Sequence, residues 1–207
     1  MSRRRRVPAM APEDRRAAII AATVPLLREH GMAVSTRQIA EAAGVAEGTI
    51  FGVFPDKNSL LRAAVMKAFD PRPALGAFAA ISRELDLRTR MREVASLLRA
   101  GMLANANLFS APKEAMAEDE EFREQMMEGR KLMMDAITAV IEPDRDQLRR
   151  SPRSAAHMLF LLLATTVHRG FGHGEPTDDM DDDEIVSVLL DGLLVRPAPQ
   201  PATESGS

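Results

Sequence analysis

Apolar residues recur along this chain at helical spacing, and no segment alternates with the period of a half-buried strand. Ala17, Ile20, Ala21, Val24 and Leu27 form the stripe of a first helix ending at His30-Gly31. Pro25 lies inside that stripe, so a bend is expected there. Ser35 or Thr36 caps a short second helix, and Ser35 with Gln38 has the capping-box form. A third helix is expected over about Ala46 to Val53. A fourth, capped by Asp56, runs to about Phe69, where Asp70-Pro71-Arg72-Pro73 stops it. Helices are further expected from Asp86 to about Asn105, near Pro112–Ala117, and from about Asp119 to Ile141, which Glu142-Pro143-Asp144 ends. Ser151-Pro152 opens another that runs to Gly170, and the last spans about Asp182 to Val195, with acidic residues in its first turn. The fold class is all-α.

Length and composition narrow the picture. A chain of 207 residues, 45% apolar, suits one compact domain or a small one joined to a larger one. The absence of cysteine excludes a disulfide scaffold, a thiolate metal site and a cysteine nucleophile, and fits a reducing, cytoplasmic setting. The apolar stretch Ala155 to Val167 is thirteen residues long. A bilayer-spanning helix needs about 20, so a buried core helix is expected and no membrane partner. Arg3 to Arg6 are followed by no apolar h-region, so they do not read as a secretory signal.

Charge is unevenly spread. Residues 1–62 carry 10 Lys/Arg against 6 Asp/Glu, whereas the remainder carries 17 against 24. A basic front on an acidic body points to a polyanionic partner for the front. The expected organisation is a disordered basic arm over 1–11, a helix-turn-helix domain over 12–62, a helical domain over 63–195 and a disordered tail over 196–207. Two readings of Arg3 to Arg6 stay open: an arm lying along phosphates or in a minor groove, or a solvated tail.

Thr36 to Lys57 is the informative segment. Two helices crossing near a right angle through a three-residue turn need a small residue at the contact, which Ala40 supplies. They need a glycine where φ is positive, which Gly44 supplies. Ile39, Val45 and Ile50 provide apolar pins onto the first helix. The second helix of such a pair enters the major groove of DNA. An ordinary αα-hairpin shares the Ala-x-x-x-Gly spacing and is the competing reading. Arg37, Thr49 and Lys57 add donors where phosphates would pass.

Residues 15–65 resemble the DNA-binding domain of the tetracycline-repressor (TetR) family of bacterial transcriptional regulators. The resemblance is carried by Thr36-Arg37-Gln38-Ile39-Ala40, Ala43-Gly44-Val45, Gly48-Thr49-Ile50-Phe51 and Phe54-Pro55-Asp56-Lys57 with Leu60-Leu61. It implies a nine-helix homodimer that represses transcription from a double-stranded DNA operator and is released by a small-molecule effector. Carried over by position, Thr36, Thr49 and Lys57 hold phosphates, and Arg37, Glu47 and Gly48 lie at or near base edges. Phe51 stands where the family usually has a tyrosine, so one phosphate hydrogen bond is missing, though its ring can still pack on sugar or a thymine methyl. Gly52 and Val53 replace larger residues, and Gly52 weakens the helix by up to ~1 kcal/mol relative to Ala. Glu47 can accept from cytosine N4 but is repelled by phosphate.

Eight of the 13 methionines fall between Met91 and Met158. Met126 and Met133 share a stripe with Phe122 and Ile137, beside a second stripe of Met127, Met134 and Ile141. Plain core packing explains these residues without the resemblance. With it, an adaptable apolar pocket near Met102, Phe109, Met126, Met133 and Phe160 is expected. Met158 to Val167 is apolar on every side, and Ile185, Val188 and Leu189 share a face. The family pairs two such helices per chain across a two-fold axis, which places Leu159, Leu162, Thr166, Ile185, Val188 and Leu189 at the dimer interface.

No enzyme is expected. His157 and His168 stand three helical turns apart, roughly 16 Å, too far to share a metal. His173 completes no ligand spacing, and the run Asp178 to Glu184 lacks the glycine turn of a calcium loop and reads as a solvated loop and helix start. No phosphate-binding glycine loop, nucleophile elbow or catalytic Ser/His/Asp spacing occurs, and no cofactor is implied. The leading expectation is a ligand-responsive repressor that binds a palindromic operator as a dimer. The alternatives are a helical small-molecule-binding or catalytic protein with a vestigial helix-turn-helix, and a regulator answering to a protein partner or to nothing.

Overall fold

The structure is a computed structural model that describes residues 11–108, 119–167 and 180–193. The described residues are helical and contain no strand element. Helix α1 covers Pro12–His30, with proline at its first turn, Glu13 and Asp14 near the positive end of its dipole and Arg28 and His30 near the other. It stays continuous through Pro25, which is exposed. Helix α2 is Thr36–Ala43, α3 is Glu47–Phe51 and α4 is Lys57–Ala68. The cap of α2 is Ser35: its Oγ accepts from the Gln38 N–H at 3.2 Å, while the Ser35 N–H donates to Gln38 Oε1 at 2.8 Å. Asp56 caps α4 by accepting from the Ser59 N–H at 2.6 Å.

The chain continues as α5 (Arg72–Ala80), α6 (Leu87–Ala104), α7 (Glu120–Ile141), α8 (Pro152–Val167) and α9 (Asp182–Leu193). Periodicity assigns no element to 72–80, yet α5 forms there. Prolines inside the first turn of a helix lose no internal hydrogen bond, so Pro73 is compatible with a start rather than only a stop. The third helix is shorter than expected. Ala46 is its cap, and Gly52 and Val53 leave it in a turn closed by Val53 N–H to Ile50 O at 3.0 Å. Several expectations lie outside the described residues: the Arg3–Arg6 arm, the helix near 112–117, Phe109, His168, His173, Asp178, Asp179 and the C-terminal tail.

Two compact units emerge, one from residues up to 73 with 101–132, the other from 74–100 with 133 onward. Helices α6 and α7 supply residues to both. In the first unit, α1 packs on α2 and α4. Its core includes Ile19, Leu27, Ile39, Ile50, Leu60 and Leu61, joined by Leu108 and Phe122 from the later segment. Asn105, buried, binds this segment to α4: its Nδ2 donates to Ala68 O at 3.2 Å and its Oδ1 accepts from Arg28 Nε at 3.0 Å. Arg62 Nε pairs with Asp119 at 3.1 Å.

The second unit buries Phe78, Met91, Val94, Met134, Ile137 and Leu163, among others. Helix α9 packs on α8. Its acidic start is not merely solvated. Arg99 Nε pairs with Asp182 at 2.6 Å and Arg92 pairs with Asp183, so cations from α6 hold the carboxylates of α9's first turn. Asp181 caps α9 through the Glu184 N–H at 2.8 Å. No helix among the described residues is long and apolar enough to cross a membrane.

Asp70, just past α4, is held by the Arg72 guanidinium at 2.8 and 2.6 Å, by the Arg72 N–H at 3.1 Å and by the charge of Lys67. The side-chain bond from Arg72 is the main reason its carboxyl is lowered from 3.8 to about 2. A carboxylate with a depressed folded pKa stabilises the fold above its unfolded value and loses that contribution as pH falls through its folded value. Asp70→Asn is therefore expected to lower the denaturation midpoint at pH 5, with the gap to the parent protein closing between about pH 4 and pH 2. A gap independent of pH across that window would show that the ion pair does not titrate as described.

Candidate nucleic-acid interface

The turn between α2 and α3 is built from the backbone. Gly44 sits at φ +65°, ψ 32°, the left-handed conformation that costs an L-residue with a Cβ roughly 1–2 kcal/mol. This frees its N–H to reach Glu41 O at 3.1 Å while the Val45 N–H reaches Ala40 O at 3.0 Å, the paired bonds of a Schellman end. Ile39, Ala40 and Ile50 are buried, and Val45 packs against the same core. Phe54, 1% exposed, seals the segment after α3, with the Arg16 guanidinium 4.3 Å from its ring centre. The α2–turn–α3 unit is thereby clamped onto α1 and α4.

The residues singled out from sequence are exposed or half-buried. Arg37, Glu47 and Gly48 are exposed, Phe51 is 52% exposed, and Thr36, Thr49 and Lys57 are half-buried. Thr36 and Glu47 open α2 and α3 respectively, and the Thr36 hydroxyl donates to the Glu47 carboxylate. Sequence reasoning placed these two near DNA separately and missed that they bind each other. The spacing of eleven residues across a turn carries no signal for that contact.

Residues 19–64 match the family described as bacterial regulatory proteins, tetR family. Over those residues the chain is similar to the TetR family. Solved structures extend the likeness over most of the chain. A putative TetR-family transcriptional regulator from Mesorhizobium loti matches with TM-score 0.67 and 18% identity, covering 90% of this chain and 100% of that one. A TetR-family regulator from Cytophaga hutchinsonii gives 0.66 and 17%, covering 91% and 99%. One from Marinobacter aquaeolei gives 0.57 and 24%, covering 90% and 100%. At these identities the shared property is the fold. Residues 19–64 thus match the tetR family of regulatory proteins, and the chain as a whole shares the fold of the TetR-family structures.

The rest of the TetR-like body contains a cavity of about 220 Å³ in the second unit. Leu75, Phe78 and Ala79 of α5, Ile81, Arg83, Arg90 of α6, and Ala136, Ala139 and Val140 of α7 line it. Of the pocket residues expected from sequence, Met102 is buried and Met126 packs on the core of the first unit, while Met133 and Phe160 are half-buried in the second. None of these four lines the cavity. The arginines that do line it were not singled out from sequence, since a surface arginine and a buried one look alike there.

Among the expected interface residues, Val188 is 56% exposed, and Leu162 and Thr166 are half-buried. Leu159, Ile185 and Leu189 are buried within the chain's own second unit. Leu161 and Met158 are also exposed on α8.

Two glycine substitutions separate backbone strain from helix propensity. Gly44→Ala keeps its open surroundings but must hold a positive φ, and is expected to destabilise by about 1–2 kcal/mol. Gly48→Ala sits in α3 with nothing within 4 Å of the new Cβ and is expected to stabilise by up to ~1 kcal/mol. Urea denaturation of the two variants should give shifts of opposite sign.

Proposed function

We propose that the chain is a cytoplasmic, ligand-responsive repressor that binds a palindromic operator as a homodimer through Thr36, Arg37, Glu47, Gly48, Thr49, Phe51 and Lys57. The observation that supports this is that Arg37, Glu47, Gly48 and Phe51 of α2 and α3 are exposed while Ile39, Ala40 and Ile50 of the same helices are buried, with Thr36 bonded to Glu47 across the turn. Lys57 and Thr36 each stand at the first turn of a helix whose free N–H groups favour an anion. Such contacts position the domain on phosphates, and Arg37 with the N-terminal residues of α3 reads bases. The bond from Thr36 to Glu47 holds a carboxylate beside this surface in the free protein. Engaging phosphate through Thr36 requires that bond to open, which makes Glu47 a brake on indiscriminate binding.

Helices α6 and α7 connect ligand to DNA in this reading. Both contribute to the cavity and both continue into the first unit, where Asn105 and Phe122 meet α4 and the core. A ligand that shifts either helix biases the position of α4 and with it α3. By linkage, the operator must weaken ligand binding by the factor through which ligand weakens the operator. Dimerisation through α8 and α9 sets the spacing of the two α3 helices at about one turn of DNA. Leu161, Met158 and Val188 are the exposed apolar side chains that a second copy would cover.

Two measurements test the reading. Fluorescence anisotropy with DNA from just upstream of the protein's own gene should show that Arg37→Ala and Lys57→Ala each weaken binding. Loss of a phosphate contact at Lys57 should flatten the log–log salt dependence by about 1. Binding that survives both substitutions unchanged, or no binding at low salt, overturns the DNA assignment. Sedimentation should show a dimer that Leu161→Glu with Val188→Glu converts to monomer, and DNA affinity should fall with it. A monomeric parent protein would remove the palindrome from the proposal.

A further inference from the structure

The cavity of the second unit has a chemical bias. Its walls are apolar: Leu75, Phe78, Ile81, Ala136, Ala139 and Val140. The charged side chains among its lining are two arginines, Arg83 and Arg90, with no acidic counterpart in the lining. Arg83 is exposed, as expected for a cation at a mouth. Arg90 is different, being only 3% exposed. One of its terminal nitrogens forms an ion pair with Asp144 Oδ2, but neither that oxygen nor the Arg90 Nε–H has a hydrogen-bond partner. A buried guanidinium N–H left without an acceptor costs stability, so such groups normally find one in protein or water. Asp144 sits in the turn Glu142–Gln147 and is not among the residues lining the cavity.

We infer that this cavity binds a short apolar monocarboxylate, its tail against α5 and α7 and its carboxylate accepting from Arg90 near Arg83. The inference rests on the ligand-responsive reading above and specifies the ligand for it. Arginine presents planar, pre-organised donors suited to a carboxylate, and the Arg90–Asp144 pair holds that donor set in place without a ligand. Size sets the tail. A cavity of about 150 Å³ holds benzene, so about 220 Å³ accommodates roughly ten non-hydrogen atoms. Octanoate and benzoate fit that bound, whereas a sixteen-carbon acid does not.

Isothermal titration of the full chain at neutral pH with octanoate, benzoate and 1-octanol tests the assignment. The carboxylates are expected to bind, with 1-octanol at least tenfold weaker. Ala136→Leu, which fills the apolar wall without touching charge, should abolish octanoate binding. Arg90→Met combined with Asp144→Asn, which strands no buried charge, should reduce octanoate to the affinity of 1-octanol. Equal affinities of octanoate and 1-octanol for the parent protein, no binding of either carboxylate, or octanoate binding untouched by Ala136→Leu each overturn the inference. Operator affinity measured alongside keeps the two readings apart. Octanoate that binds in the expected pattern without releasing DNA overturns ligand release and leaves the cavity assignment standing. DNA released by an extract of the host cell while octanoate fails to bind overturns the carboxylate assignment alone.

Discussion

The left-handed turn at Gly44 is the constraint on which the rest depends. A helix ending in a right-handed conformation would carry the chain onward along α2, and Ile50 could not return to the seam formed by Ile39 and Ala40. With φ at +65°, two backbone hydrogen bonds close the helix end and redirect the chain within three residues. Burial of Ile39 and Ile50 then holds α3 although five residues are too few to form a helix on local propensity. The surface opposite the seam is consequently fixed in orientation by the core, and side chains on it are presented by packing rather than by the strength of their own helix.

Polar groups divide the work between the two units. In the first, Asn105 and Arg62 connect α1 and α4 to residues that arrive much later in the chain. In the second, arginines of α6 gather the acidic start of α9, and Arg88 reaches Ser187 at 2.8 Å and Asp191 at 3.5 Å one turn further on. A row of cations on one helix facing a row of anions on another specifies register, even where each partly exposed pair contributes only about 0–1 kcal/mol.

Arg90 belongs to the same helix and differs from its neighbours in being buried. Burying a guanidinium is costly unless it is paired, and here the pair with Asp144 accounts for only part of its donor capacity. A side chain of this kind lining a cavity between α5 and α7 gives the second unit a polar anchor within apolar walls, the usual composition of a small-molecule site. The chain differs from the solved structures in most of its sequence while keeping their fold.

Local signals determined much of this protein before any coordinates. The capping pairs Ser35–Gln38 and Asp56–Ser59, the glycine at a forced positive φ and the 3.6-residue stripes all act within a few residues, so the helix-turn-helix and most helix limits were legible. Helix α5 was not, because prolines at 71 and 73 give the same local signal at a helix start as at a helix end. Tertiary structure alone decided which apolar residues of α8 face inward, since that helix is apolar around most of its girth, and that Val188 of α9 stays exposed while Ile185 and Leu189 are buried. It also decided the partners that meet across turns and between distant segments: Thr36 with Glu47 eleven residues apart, and Asn105 with Ala68, Arg99 with Asp182 and Arg90 with Asp144 at separations of tens of residues. Those pairings follow from how helices cross in space, and a one-dimensional pattern holds no distance between segments that meet only after folding.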